Sequence, residues 1–298
     1  MNFSVMSFSS RRYESHLIGA HFSISGGLDN ALYEAKSYHC NTLQIFTKNA
    51  LTWKERTLSA KEIDLFEQAK ARTGIKEIAS HASYLINLAT KDKKKHAMSI
   101  RGLKLEFARS SMLGIPCVVL HPGSHMGIGE KEGINLIADS INTVFSKTPD
   151  LQTRLLLETT AGQGSSLGNT FEHLASITDK VENSARIGVC LDTSHIFAAG
   201  FDIRTTPAYR KTIKLFDSII GLDRLYLIHL NDSKKELGAR IDRHEHIGKG
   251  FIGLKAFELF MNDERFRDIP KIIETPKEQG GKDWDKINLE RLRSLVSA

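Results

Sequence analysis

The sequence predicts a single (β/α)8 barrel, the TIM barrel, with a metal site at the C-terminal ends of its strands. Two observations carry this. From Leu17 onward, short apolar runs alternate with longer segments of helical period in about eight successive units, with no Pro/Gly/Ser-rich linker between them. Eight such units in roughly 250 residues are what this barrel requires. In addition, six of the apolar runs finish on an ionisable side chain: Ala79-Ser80-His81, Val119-Leu120-His121, Leu156-Leu157-Glu158, Val189 through Asp192-Thr193-Ser194-His195, Leu227-Ile228-His229 and Ile272-Ile273-Glu274. Burying such a group costs several kcal/mol unless something compensates it. Catalytic residues of these barrels sit where strands hand over to loops, so fold and site point to the same places. The competing architecture is a doubly wound open sheet.

Taken in order, residues 17–23 read as the first strand, and Gly26-Gly27 leads into a helix that runs to about Ser37. Residues 42–47 form the second strand, followed by a helix over 59–72 whose Ser59 and Glu62 have the spacing of a capping box. The third strand spans 77–83, and a long basic helix follows from Lys94 to Leu113. The fourth strand spans 116–121, with a helix over 132–145. The second half repeats the alternation, with strands at 154–160, 187–192, 225–231 and 271–275 and helices at 170–181, 207–220, 253–261 and 285–296. Short, nearly continuous apolar runs suit parallel strands covered on both faces.

Hydrophobic residues make up 41% of the 298 and charged residues 26%, enough for a sizeable core under a soluble surface. No apolar run approaches the roughly 18 residues needed to cross a bilayer, so no membrane partner is expected. Cys40, Cys117 and Cys190 form no CxxC pair and read as reduced thiols of a cytoplasmic protein. The net charge of +6 leans toward a polyanionic partner. Residues 1–15, Ser-rich with Arg11-Arg12, read as a flexible extension to one domain spanning 16–298. A short organellar presequence is the alternative reading of that stretch.

The candidate metal ligands, in order, are His81, His121, Glu158, Asp192, His195, His229, Asp242, His244 and Glu274. Imidazoles and carboxylates without thiolate suit zinc or manganese, and the histidine-rich balance favours zinc. A catalytic zinc takes about three protein ligands, so nine are right for three ions if one carboxylate bridges a pair. Glu158, mid-series, is the natural bridge. A bridged pair of ions is the arrangement that splits phosphodiesters. His16, His21, His39, His96, His125, His173 and His246 lack this convergence, with His21 placed to support a ligand. The run 91–95, the Gly162-Gln163-Gly164-Ser165-Ser166 stretch and Asn231-Asp232-Ser233-Lys234-Lys235 lie near the expected mouth. Each can meet an anion or be ordinary solvated surface.

These residues fall in motifs that resemble the endonuclease IV family of abasic-site DNA repair nucleases, within the xylose-isomerase-like barrel superfamily. The motifs are Phe46-Thr47-Lys48-Asn49, His121-Pro122-Gly123, Glu158 through Gly164, Leu191-Asp192-Thr193-Ser194-His195, His229-Leu230-Asn231-Asp232 and Asp242 through Gly248. The resemblance runs from Ile18 to Pro276. It implies three zinc ions, with manganese the alternative at one position. His81 and His121 hold one ion and share Glu158 with a second; Asp192, His229 and Glu274 complete the second; His195, Asp242 and His244 hold the third. It implies hydrolysis of the phosphodiester 5′ to an abasic site by a zinc-bound hydroxide, leaving a 3′-hydroxyl and a 5′-deoxyribose phosphate, with removal of blocked 3′ ends. The implied partner is double-stranded DNA, met by a monomer in the cytoplasm at the nucleoid. Tyr84 matches a position that wedges into the base stack. The second wedge, often Arg in the family, is Leu51 here, and Ser194 stands where Cys is common. The competing functions are a sugar isomerase or epimerase on the same barrel and a DNA-binding protein without catalysis.

Overall fold

The structure is a computed structural model that describes residues 16–297. The expected extension at 1–15 lies outside the described residues. Eight parallel strands close into a barrel: β1 (Ile18–Phe22), β2 (Thr42–Phe46), β3 (Glu77–His81), β4 (Cys117–Leu120), β5 (Arg154–Glu158), β6 (Ile187–Asp192), β7 (Leu225–His229) and β8 (Lys271–Ile273). Each pairs with its sequence neighbours, and β8 closes on β1 through the register Ile18 to Lys271. The outer ring is made by α1 (Leu28–Ser37), α2 (Ala60–Thr73), α3 (Lys93–Met112), α4 (Glu130–Ser146), α5 (Phe171–Thr178), α6 (Thr193–Ala199), α7 (Thr206–Ile219), α8 (Leu254–Met261) and α9 (Trp284–Ser294).

Local chemistry explains where the helices start. Ser59 and Glu62 form the reciprocal capping box that their spacing predicts. Asp92, Thr170, Thr205 and Asp283 each cap a helix by accepting a backbone N–H. Most element ends fall within a residue or two of expectation. The exceptions are α5, which ends three residues early at Thr178, and α6, which the apolar pattern does not announce because the strand before it is equally apolar. Asp192 ends β6 and at once accepts from His195 N at 2.8 Å, so strand and helix share one residue.

Two cores hold the barrel. The larger lies between sheet and helices and includes fully buried Phe66, Phe107, Phe216, Phe257 and Phe260. Each contributes about 1.5–3 kcal/mol by leaving water. The smaller is the plug inside the barrel: Ala79, Val119, Leu156, Cys190, Leu227 and Ile272, from six successive strands. Side chains two apart on a strand share a face. The residues two positions on from these six are His81, His121, Glu158, Asp192, His229 and Glu274. The apolar plug is thus the floor on which six ionisable side chains stand. At Gly19 a Cβ would lie 1.9 Å from the Thr42 carbonyl oxygen, so glycine lets β1 approach β2 at this level.

Candidate metal centre

Glu158 ends β5 completely buried, and the cluster is built around its two oxygens. Its Oε2 faces His81 Nε2 at 3.2 Å and His121 Nε2 at 2.9 Å. Its Oε1 faces His229 Nδ1 at 2.9 Å. His229 Nδ1 also lies 3.2 Å from Glu274 Oε2 and 3.8 Å from Asp192 Oδ2. Ligand atoms of His81, His121 and Glu158 converge in one group, those of Glu158, Asp192, His229 and Glu274 in a second, and those of Asp192, His195 and His244 in a third. Glu158 and Asp192 each belong to two groups. Asp242, on the loop after β7, approaches the third from its open side, 3.2 Å from His195 Nε2 and 3.5 Å from His244 Nε2. All nine candidate ligands therefore meet at one end of the barrel.

The rings are oriented from behind. His81 Nδ1 lies 2.7 Å from the Ala82 carbonyl, His195 Nδ1 2.8 Å from that of Thr159, and His244 Nδ1 3.2 Å from that of Glu274. A carbonyl only accepts, so each Nδ1 carries a proton and each Nε2 faces inward. His244 Nε2 is buried and has no hydrogen-bond partner among the described residues. His229 is reversed: its Nε2 faces Gln44 Oε1 at 2.9 Å and its Nδ1 faces the carboxylates.

Burial alone would push the Glu158 carboxyl up, but the rings of His121 and His229 hold it well below the usual carboxylate range. Glu274 follows the same logic, with burial opposed chiefly by His229. Burial would lower His195, but Asp192 and Asp242 raise it well above the usual imidazole value. Nine ionisable groups are tolerated here because opposite signs alternate.

The supporting loops are equally fixed. Asp232 is fully buried, and its carboxylate accepts from the N–H groups of Ser233, Gly250 and Ile252 at 2.8–3.0 Å. This staples the loop that carries Asp242 and His244. A Cβ at Gly250 would sit 2.2 Å from the Ser233 carbonyl oxygen, so only glycine closes the staple. Asn231 donates to Asp192 Oδ2 and accepts from Glu274 N, both at 2.7 Å, joining three strand ends. Beside the cluster, a cavity of about 460 Å³ is lined by His121, His195, Asp242, Tyr84, Asn87 and Arg243, among others.

Tyr84 is 55% exposed, with its ring 5.4 Å from that of His81. Leu51 is 76% exposed on the loop after β2. The two loops are tied by the Ser83 hydroxyl, which donates to the Ala50 carbonyl. His21 packs against the cluster as a supporter, its Nδ1 3.2 Å from Glu274 Oε1. Lys91 just before α3 and Lys93, Lys94 and Lys95 in its first turn are exposed, and Gln163 Oε1 accepts from Asp242 N at 3.3 Å. Lys234, Lys235, Arg243 and Lys249 line a second open cleft next to the centre. Sequence reasoning overlooked Gln44; a lone amide between Leu43 and Ile45, at an inward position of a barrel strand, is the signal that could have found it.

Closed parallel barrel and polyvalent His/carboxylate centre together define a xylose isomerase-like TIM barrel, and residues 32–295 match the model of that family. The curated relative "Probable endonuclease 4" of Geotalea daltonii is 48% identical over 94% of this chain and 98% of its own length. Its counterpart in Citrifermentans bemidjiense is 45% identical over 94% and 99%. The crystal structure of endonuclease IV from Thermus thermophilus is 32% identical, covers 94% of this chain and 98% of its own, and superposes with a TM-score of 0.83. The chain belongs to the endonuclease IV family.

Proposed function

We propose that this protein is an abasic-site endonuclease of DNA repair, which hydrolyses the phosphodiester 5′ to an abasic site in double-stranded DNA and trims blocked 3′ ends. One observation carries the reading: a buried carboxylate, Glu158, presents its two oxygens to two different sets of imidazole and carboxylate donors. The nine donors are five imidazoles and four carboxylates with no thiolate, the chemistry that zinc takes. The orphaned His244 Nε2, buried between Asp192 and Asp242, is what a cation site looks like from the protein side.

His81, His121 and Glu158 would hold one zinc, Glu158, Asp192, His229 and Glu274 a second, and His195, His244 and Asp242 with Asp192 a third. When bound, zinc makes a nucleophile available from water near neutral pH and offsets the charge of a phosphodiester. The chain's own part is to hold that chemistry still. The carbonyls of Ala82, Thr159 and Glu274 set the imidazoles, and Glu158 supplies negative charge to both sides. Tyr84 and Leu51 fill the gap in the base stack, where an abasic site has already lost one base's stacking. Lys234, Lys235, Arg243 and Lys249 meet the phosphate backbone. One chain supplies the whole donor set, which supports a monomer as the working unit. The nuclease unit is assigned to residues 16–298, and the reduced state of its three cysteines suits the cytoplasm.

The test is cleavage of a labelled duplex with one stable abasic analogue, beside an intact duplex. A single nick immediately 5′ of the analogue, lost on chelation and restored by zinc, is expected. No nick from folded, zinc-loaded protein would refute the assignment.

A further inference from the structure

Gln44 lies in the middle of β2 and is fully buried. Strand pairing sets it level with His21 on β1 and with Ala79 on β3, in the layer of the apolar plug and directly below the carboxylates. A buried amide left without partners costs about 1–3 kcal/mol, so an inward glutamine in an apolar layer is informative. Its amide is used at both ends. Nε2 donates to Glu274 Oε1 at 2.6 Å and lies 2.9 Å from His21 Nδ1, while Oε1 lies 2.9 Å from His229 Nε2.

These contacts allow one arrangement. The Glu274 carboxylate only accepts, so the amide nitrogen must face it and the amide oxygen must face His229. The amide oxygen in turn only accepts, so His229 Nε2 carries the N–H and Nδ1 is turned toward Glu158, Asp192 and Glu274. His81, His195 and His244 receive the same service from backbone carbonyls, and for His229 a side chain from the far side of the barrel supplies it. We propose that Gln44 is a positioning residue of the metal centre: one amide sets the ring of His229 and the carboxylate of Glu274 together, so that both address the cation shared with Glu158 and Asp192. The inference rests on the reading of this cluster as a zinc site.

The test uses the full chain, zinc alone and two variants. Gln44→Met keeps the volume and deletes all three hydrogen bonds of the amide, to Glu274, His21 and His229. Gln44→Glu keeps the acceptor for His229 and replaces the donor to Glu274 by a second carboxylate. Zinc per chain is measured after dialysis against a limiting chelator, zinc release is followed with a chromogenic chelator, and far-UV circular dichroism checks the fold. Losing such an outer partner typically weakens metal binding about 10- to 100-fold. Gln44→Met is expected to release one class of ion faster by that factor while the other classes keep wild-type rates, with Gln44→Glu showing a smaller selective loss. If Gln44→Met does not fold, Gln44→Glu decides alone. Wild-type zinc content and release in the folded variants, or equal weakening of every class of ion, would overturn the proposal. A wild-type chain that takes up no zinc would instead remove the reading beneath it.

Discussion

Arg109, buried on α3, donates from Nη1 to Glu55 Oε2 at 2.6 Å and so grips the far end of the loop that carries Leu51. Its Nε donates to the Thr47 hydroxyl at 2.8 Å, at the near end of the same loop. Its Nη2 donates to buried Glu106 at 2.7 Å, and the Thr47 hydroxyl donates to the other Glu106 oxygen at 2.8 Å. One guanidinium therefore spans the loop base, and its planar fork is what makes three partners reachable. Arg109→Ala would strand the Glu106 carboxylate without its cation, and loss of one partner of a buried pair costs about 3–5 kcal/mol. Urea unfolding should show a fall of that order, with Arg109→Lys in between. Unchanged stability in Arg109→Ala would mean that the network does not hold the loop.

Glu158 serves two donor sets with two oxygens, and an amide cannot. Glu158→Gln retains the shape but leaves one side facing an N–H and removes the negative charge from both. Cleavage of abasic duplex should fall by at least about 10²–10³-fold, the scale of losing a principal electrostatic contact. Circular dichroism should still report a folded barrel, because the apolar plug lies below the substituted side chain. Near-normal turnover would remove Glu158 from the centre of the chemistry.

Tyr84 and Leu51 are exposed apolar tips on loops tied together above the cluster. Tyr84→Ala should weaken binding to abasic duplex by about 1–3 kcal/mol, the worth of an aromatic stack on a base. Intact duplex offers no gap, so its binding should change far less; Leu51→Ala should show the same preference more weakly. Equilibrium titrations of both duplexes at one salt concentration decide the matter. Equal losses on both would make these residues ordinary surface.

Lys271 begins β8 fully buried, its ammonium donating to the carbonyls of Phe266 and Ile269. Burial pushes its pKa down to about 8 from 10.5, with Asp268 and Asp263 pulling weakly the other way. Between those values the unfolded chain binds more protons than the folded one, so this group's destabilising contribution is full below about pH 8 and fades as pH rises toward 10.5. The difference in unfolding free energy, wild type minus Lys271→Met, should therefore rise by about 3 kcal/mol across that window. The two proteins are to be compared in the same metal state. A flat difference would show that Lys271 titrates normally.

The alternation of apolar run and helical segment already specified the barrel, because eight covered strands in series leave few other ways to bury so much surface. The ends of those runs specified six inward candidate ligands for the same reason: in a strand, the side chain two positions after a plug residue must stand above it, as His81 stands above Ala79. Local pattern could not show what depends on approach across the barrel. That Asp192 belongs to two donor groups follows from α6 starting directly after that residue, which caps it, and so brings His195 back by one turn. The reversal of His229 depends on Gln44, separated from it by 185 positions in the chain and by the width of the barrel in space. Periodicity reports which face a residue takes. Only closure of the sheet decides which atoms then meet.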